Sequence, residues 1–424
     1  MKNISLFYCF IFCVFFLVLN VAKIGLRNKT FILPSTFFAL IWGVSTLGIF
    51  LFSNGIIDVN DYYKQAEHLE CIGNYQIQVF ISIFLSFICV RVRYRNNPAY
   101  FSSEFLAADI TTIRERFRSV YYLFFIIGLV RLFIVISAVG FDYANIRSFY
   151  VENRINFSSF DVNLVRVASY LMQFAQFYVC LLGIESAIKG INYKQIVTNL
   201  LLFCPYQMSF GGRLFILSFF MPFLFSYFLV TSLSSFTREF KLQQSRKIRI
   251  FVLSPFFLLI FFQILKMDSN LDLDSFSEFS TEIFYTSSAY RHMNEFWDQL
   301  PNNYQLGVGS NILGLSSDIY NRILNTWSNT NNSALVCVPS MIPQMILDFG
   351  KYGSLFIYFV IFYNLEKIAI ISLTNMSLKQ VFIIVLTCLI SYQTAASSMS
   401  DIFKSFIIGY LIILIIVRSL KRET

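Results

Sequence analysis

Apolar and polar positions along this chain fall into long blocks instead of the short periods of a soluble fold. Eleven apolar runs are joined by short polar segments. One polar stretch of roughly eighty residues, Met267 to about Pro343, interrupts them late. A helix needs about 20 apolar residues to cross the hydrocarbon of a bilayer. Runs of that order predict spans at Ser5–Val21, Phe31–Phe52, Ile77–Val92, Val120–Gly140, Val167–Ile188, Ile196–Phe210, Leu214–Leu233, Ile250–Leu265, Gly353–Leu373, Val381–Ala395 and Phe403–Val417. Several are short, so their ends are soft. The expected fold is an all-α polytopic membrane protein with about 11 helices (roughly 10–12). Residues 1–266 would hold eight spans, 267–345 the large loop, and 346–424 the last three spans and a tail. The first run lacks a small-residue cleavage site, for which Leu19-Asn20-Val21-Ala22-Lys23 is a poor substitute. It reads as an anchor and not as a cleaved leader.

Composition strengthens this reading. The 424 residues are 56% apolar and 13% charged, against about 25% charged in soluble domains. Phenylalanine, at 51 residues, predicts a lipid-facing aromatic surface; tyrosine, at 24, is expected at the interfaces. Basic residues cluster in alternate loops: Lys23, Arg27 and Lys29 after the first span; Arg91, Arg93, Arg95, Arg114, Arg116 and Arg118 around the end of the third; Arg238, Lys241, Arg246, Lys247 and Arg249 after the seventh; Arg418, Lys421 and Arg422 in the tail. The positive-inside rule makes that side cytoplasmic and places the long loop outside. The net charge of +9 then points to anionic lipid headgroups, not to nucleic acid. Most of the eight cysteines lie within apolar runs and show no metal spacing. Cys71 and Cys337 share the outer side, either as two free thiols or as a disulfide. No phosphate-binding loop, dinucleotide fingerprint or metalloprotease motif occurs, so ATP hydrolysis and metalloprotease chemistry are poor fits.

Candidate chemistry lies in charges that the membrane pattern does not explain. Arg131 sits inside a span, where it either serves a function or locks two helices as an ion pair. Arg213 follows Gly211 and Gly212 in a tight hairpin between two spans; the glycines permit the turn and a close ligand approach. Arg147 and Arg154 lie in the external loop after the fourth span and face the same side as Arg213. Arginine grips phosphate with a planar, always-charged fork. His292, beside Arg291 in the long loop, is a candidate general base or an ordinary loop residue. The long loop also carries Trp297, Trp327, tyrosines and carboxylates, a mixture that suits sugars or an ordinary folded lid.

The end of that loop is more specific. It reads Trp327-Ser-Asn-Thr-Asn-Asn, with Asn331 in the polar run, then Pro339-Ser340, then Asp348-Phe349-Gly350 with a second glycine at Gly353, then a late span. This order resembles the Wzy-type O-antigen polymerases, as does the Gly211-Gly212-Arg213 hairpin midway along the chain. The motif matches cover perhaps thirty residues; the layout of many spans with one large late periplasmic loop covers the chain. The resemblance implies a GT-C-like enzyme of the bacterial inner membrane with its active site facing the periplasm. Such an enzyme joins oligosaccharide repeat units carried on undecaprenyl pyrophosphate. It uses no nucleotide sugar, no metal and no other cofactor, and a chain-length regulator protein is its expected partner. On that basis Arg213, His292 and Asp348 are the catalytic candidates, with Asp348 alternatively a helix cap. Arg147, Arg154, Arg291, Gly211, Gly212 and Asn331 are the substrate-binding candidates, and Gly350 and Gly353 are expected to serve close packing. The related O-antigen ligase, and a flippase or other transporter of lipid-linked sugar, are the competing readings.

Overall fold

The computed structural model describes residues 3–22, 32–56, 68–97, 99–102, 109–140, 146, 159–209, 214–233, 290, 293–294, 297, 306, 341–394, 407–412 and 414, with side chains omitted at 159–166, 169, 214–217 and 344. Among these residues the regular structure is helical: α1 (Ile4–Val21), α2 (Pro34–Ser53), α3 (Leu69–Arg93), α4 (Ile110–Arg116), α5 (Arg118–Val139), α6 (Ser159–Lys189), α7 (Tyr193–Met208), α8 (Leu214–Leu233), α9 (Met341–Leu373) and α10 (Leu378–Gln393). Six are long and apolar enough to cross a bilayer: α1, α2, α3, α5, the part of α6 from Tyr170 and the part of α9 from Met345. The chain is an all-α, multi-pass membrane protein. Backbone polar groups have no water to bond in hydrocarbon, and a helix satisfies them internally. The expected span Ile250–Leu265 lies outside the described residues; within Phe403–Val417, residues 407–412 are helical.

Two boundaries differ from expectation in an informative way. The third span starts at Leu69, not Ile77, and the ninth at Met341, not Gly353. Both extra lengths are mixed in polarity, so hydropathy alone stops short of them.

The chain packs as two compact units that do not follow its order. The first holds Met1–Ala99, Leu273–Thr374 and Leu386–Ile407; the second holds Tyr100–Asp272, Asn375–Val385 and Ile408–Thr424. In the first unit α1 packs on α2 and α3, and α3 on α9. The filling is aromatic. Phe16 stacks on Phe84 at 3.8 Å, and Phe38 meets Trp42, Phe80, Phe84, Phe87 and Phe362 at 5.0–6.2 Å between ring centres. This corrects the expectation that phenylalanine marks the lipid surface. Phe15, Phe133 and Phe356 are exposed, but these other rings are buried. Lipid tails are as apolar as the core, so helix association depends on close dispersion contacts, which flat rings supply in quantity.

In the second unit α6 packs on α5 and α8, and α5 on α7. Buried positions on α5 are Tyr121, Phe124, Gly128, Arg131 and Val135, spaced three and four apart as one face of a helix demands. Its other faces are apolar and exposed. Arg131 therefore lies on the packed stripe and is fully buried. Small residues let these helices close up. A Cβ on Gly128 would fall 2.7 Å from the Tyr206 backbone nitrogen, and one on Gly183 2.5 Å from the Phe223 carbonyl.

Candidate functional site

The first unit carries polar groups at both ends. At one end, Asn20 closes α1, Ser35 opens α2, Arg91 closes α3, and Glu366 lies in the later half of α9. The Arg91 guanidinium donates to Ser35 Oγ at 2.9 Å and to Asn20 Oδ1, and sits 3.5 Å from Glu366 Oε1. Ser35 donates its hydroxyl to Glu366 at 2.8 Å and its backbone N–H to the same carboxylate at 3.1 Å. Asn20 Nδ2 donates to Ser35 Oγ and Thr36 Oγ1. The Ser35 hydroxyl thus uses its one donor and both acceptor positions, and every member is buried. Sequence reading missed this network because it counted Arg91 as an ordinary loop cation. It also brings the ends of α3 and α9 to one side of the first unit.

A comparable knot holds the second unit. Arg114 Nε pairs with Glu185 at 2.8 Å, its Nη1 donates to Tyr178 Oη at 2.8 Å, and its Nη2 pairs with Glu115. Glu185 also accepts from Thr111 Oγ1 at 2.9 Å, and Tyr178 stacks on Tyr121 at 4.3 Å. Its groups are engaged with one another, which is the signature of a structural clamp.

At the opposite end of the first unit Tyr290, Asn294 and Trp297 meet the helices, and there the candidate site lies. Tyr290 is buried against Trp42 and donates its hydroxyl to Gln76 Oε1 at 2.6 Å. Burial pushes the Tyr290 hydroxyl well above its ordinary range, so it stays a protonated donor. Asn294 accepts the His68 backbone N–H at 3.1 Å. Trp297 lies 5.6 Å from Tyr75, and the Lys351 ammonium lies 5.2 Å over the Trp297 ring. The Tyr75 hydroxyl and Ser354 Oγ are 2.5 Å apart. Two buried polar atoms, Gln76 Nε2 and Tyr358 Oη, have no hydrogen-bond partner among the described residues. Such a vacancy costs about 1–3 kcal/mol.

The Asp348-Phe349-Gly350 motif sits in this end of α9. Asp348 is buried and engaged with neighbours, and lies inside a helix that began at Met341. Gly350 breaks that helix, with φ 71° and ψ 172°, a region that essentially only glycine occupies. Among the described residues, a Cβ there would meet Leu306 at 3.7 Å, and one on Gly353 would meet Phe349 at 3.4 Å. Both are ordinary contacts. Gly350 is needed for its backbone angles, and the close packing expected of these glycines is not found among the described residues, where Gly353 meets nothing nearer than an ordinary contact.

Of the catalytic and substrate-binding candidates, Asp348 is described. Arg147, Arg154, Gly211, Gly212, Arg213, Arg291, His292 and Asn331 lie outside the described residues. Tyr290 and Met293, which flank Arg291 and His292 in the chain, are fully buried. Cys71 is an exposed free thiol, and Cys337 lies outside the described residues. No family model matches this chain, and no curated protein or solved structure matches it.

Proposed function

We propose that this protein polymerises oligosaccharide repeat units carried on undecaprenyl pyrophosphate, at the periplasmic face of the bacterial inner membrane, as a GT-C-like glycosyltransferase of about 11 spans. The observation that carries the reading is the Asp348-Phe349-Gly350 turn. Its glycine adopts a conformation that other residues avoid, close to where Trp297 meets Tyr75 and Lys351. A resemblance that rests on this short motif gains weight when the motif's glycine has a physical reason to be glycine. The surrounding groups, an indole face, phenol and serine hydroxyls, an amide and a lysine, are the types that bind sugars and phosphate.

In this scheme a hydroxyl of the incoming repeat unit attacks the anomeric carbon of the growing chain. The bond from that carbon to the pyrophosphate oxygen breaks, and undecaprenyl pyrophosphate departs with the electron pair. The hydroxyl proton passes to a base, for which His292 is the candidate. Arg213, Arg147, Arg154 and Arg291 are the groups suited to the charge that grows on the leaving pyrophosphate. Asn331 and the Gly211–Gly212 backbone would orient the sugar and the anion.

Deleting the gene and resolving lipopolysaccharide on a gel tests this proposal. A lost ladder with one repeat unit retained on the core is the expected result. Loss of every repeat unit would move the assignment to the ligase or flippase; an unchanged ladder would remove all three.

A further inference from the structure

We infer that the break of α9 at Gly350–Lys351 binds an isoprenoid diphosphate, its headgroup at Lys351 and its chain along Tyr352, Phe356 and Val360. The inference rests on the proposed function, since it identifies where in the first unit a lipid-linked substrate or product is held. The backbone at Gly350 leaves the helical region, so residues 351–373 begin a new first turn. The N–H groups of such a turn lack intrahelical acceptors and carry partial positive charge. Lys351 is exposed at that turn and adds a full charge.

The second observation is the Tyr358 hydroxyl, fully buried and without a partner among the described residues. Tyr358 stands four and seven residues after Ser354 and Lys351, on the same helix face, and helical side chains lean toward the N-terminus. Its side chain therefore leans back toward the turn where the Tyr75 hydroxyl pairs with Ser354. Ser354 Oγ donates to the Lys351 carbonyl at 2.8 Å and takes the Tyr75 proton, each hydroxyl having one donor, which leaves the Tyr358 hydroxyl as the uncommitted donor behind Lys351. Asp348, the nearest carboxylate in sequence, lies before the break and is already engaged, leaving the Lys351 charge for a ligand. The lysine rests on the Trp297 ring, a weaker contact than a charge-assisted hydrogen bond to phosphate. Beside it, Tyr352, Phe356 and Val360 are 83%, 67% and 38% exposed at a spacing of four. They form a single apolar line leading away from the charge, as a single-chain lipid would require.

Binding of farnesyl diphosphate to the purified full chain, followed by native mass spectrometry, tests the site without requiring polymerisation. Wild type is expected to bind the probe, and inorganic diphosphate to compete. Lys351→Gln should weaken binding about tenfold, the loss of one charge-assisted contact. Lys367→Gln, near the other end of the same helix, should leave it unchanged. Tyr358→Phe should weaken binding several-fold while leaving the melting temperature of ligand-free protein equal or higher, because the hydroxyl has no partner to lose. Unchanged affinity in both Lys351→Gln and Tyr358→Phe would overturn the site. Displacement of the probe by phosphatidylglycerol at equal concentration, with the same dependence on Lys351, would assign the headgroup position to bulk lipid and overturn the isoprenoid. If the probe binds through Lys351 but gene deletion leaves chain lengths intact, the polymerase reading fails and the site stands.

Discussion

At the scale of single residues, the cations divide by environment, not by identity. Arg91 and Arg114 belong to basic clusters that sequence reading assigns to loops. Yet both are buried and paired, with Glu366 and Glu185. Removing one partner of a buried pair strands the other charge and costs about 3–5 kcal/mol, whereas replacing both with apolar residues of similar size costs far less. Glu366→Ala should therefore lower the thermal stability of purified protein sharply, and Arg91→Met with Glu366→Met should recover most of it; equal losses in single and double variants would contradict this. The catalytic candidates make the complementary prediction. Arg213→Ala should abolish chain elongation while the protein still inserts, and Arg213→Lys should restore little, because lysine lacks the bidentate fork. His292→Ala should slow elongation of lipid-linked repeat units in vitro by roughly 10²–10⁴-fold if it takes the acceptor proton. A near-normal rate would leave the arginines as the site.

At the scale of elements, the decisive feature is one residue's backbone in α9. Gly350→Ala forces a side chain into angles that cost about 1–3 kcal/mol, and should straighten or redirect the helix. Gly353→Ala, with ordinary clearance, should be tolerated. Chain-length analysis of cells carrying each variant at equal protein level separates the two; equal defects would show that the motif's glycines act otherwise. A milder case is the start of α4. The Asp109 carboxylate accepts from the Thr112 hydroxyl and from the N–H groups of Thr111 and Thr112. Those bonds, the hydroxyl first, lower its pKa. A pKa depressed in the folded state means stabilisation that is present above the unfolded value and lost as pH falls through the folded one. Amide exchange at Thr111 and Thr112, corrected for its intrinsic pH dependence, should accelerate as the solution is acidified below the carboxylate range. Asp109→Ala should remove that acceleration.

At the scale of the whole molecule, the charge pattern predicts an orientation that thiol labelling tests. In protein otherwise free of cysteine, Asp58→Cys, Phe276→Cys and Tyr320→Cys should react with a membrane-impermeant thiol reagent from the periplasm, and Tyr94→Cys and Gln243→Cys should not. The asymmetry of basic residues between alternate loops motivates this. Reaction at position 276 only after the inner membrane is breached would reverse the orientation and with it the side of the candidate site. Much of the fold was legible because the bilayer is a simple solvent. It demands long apolar helices and penalises charge, so α1, α2, α5 and α8 fall close to their expected limits. The candidate site was legible only as a motif. The Asp348-Phe349-Gly350 string could be read, but not that Tyr290, Asn294 and Trp297 of the long loop would come to rest against α3 and α9.

By itself the sequence determined membrane residence, helical class, most span positions and the expected sidedness, all of which depend on the local run of apolar and charged residues. The tertiary structure alone decided which charges are partners. Arg91 finds Glu366 and Ser35, and Tyr75 finds Ser354, across separations that no local pattern encodes. It alone decided that many phenylalanines pack inward, because lipid and core are equally apolar and hydropathy cannot tell the two environments apart. It also decided what Gly350 is for. A glycine needed for close packing and one needed for its backbone angles read identically in sequence, and differ only in their dihedral angles and in the space around a missing Cβ.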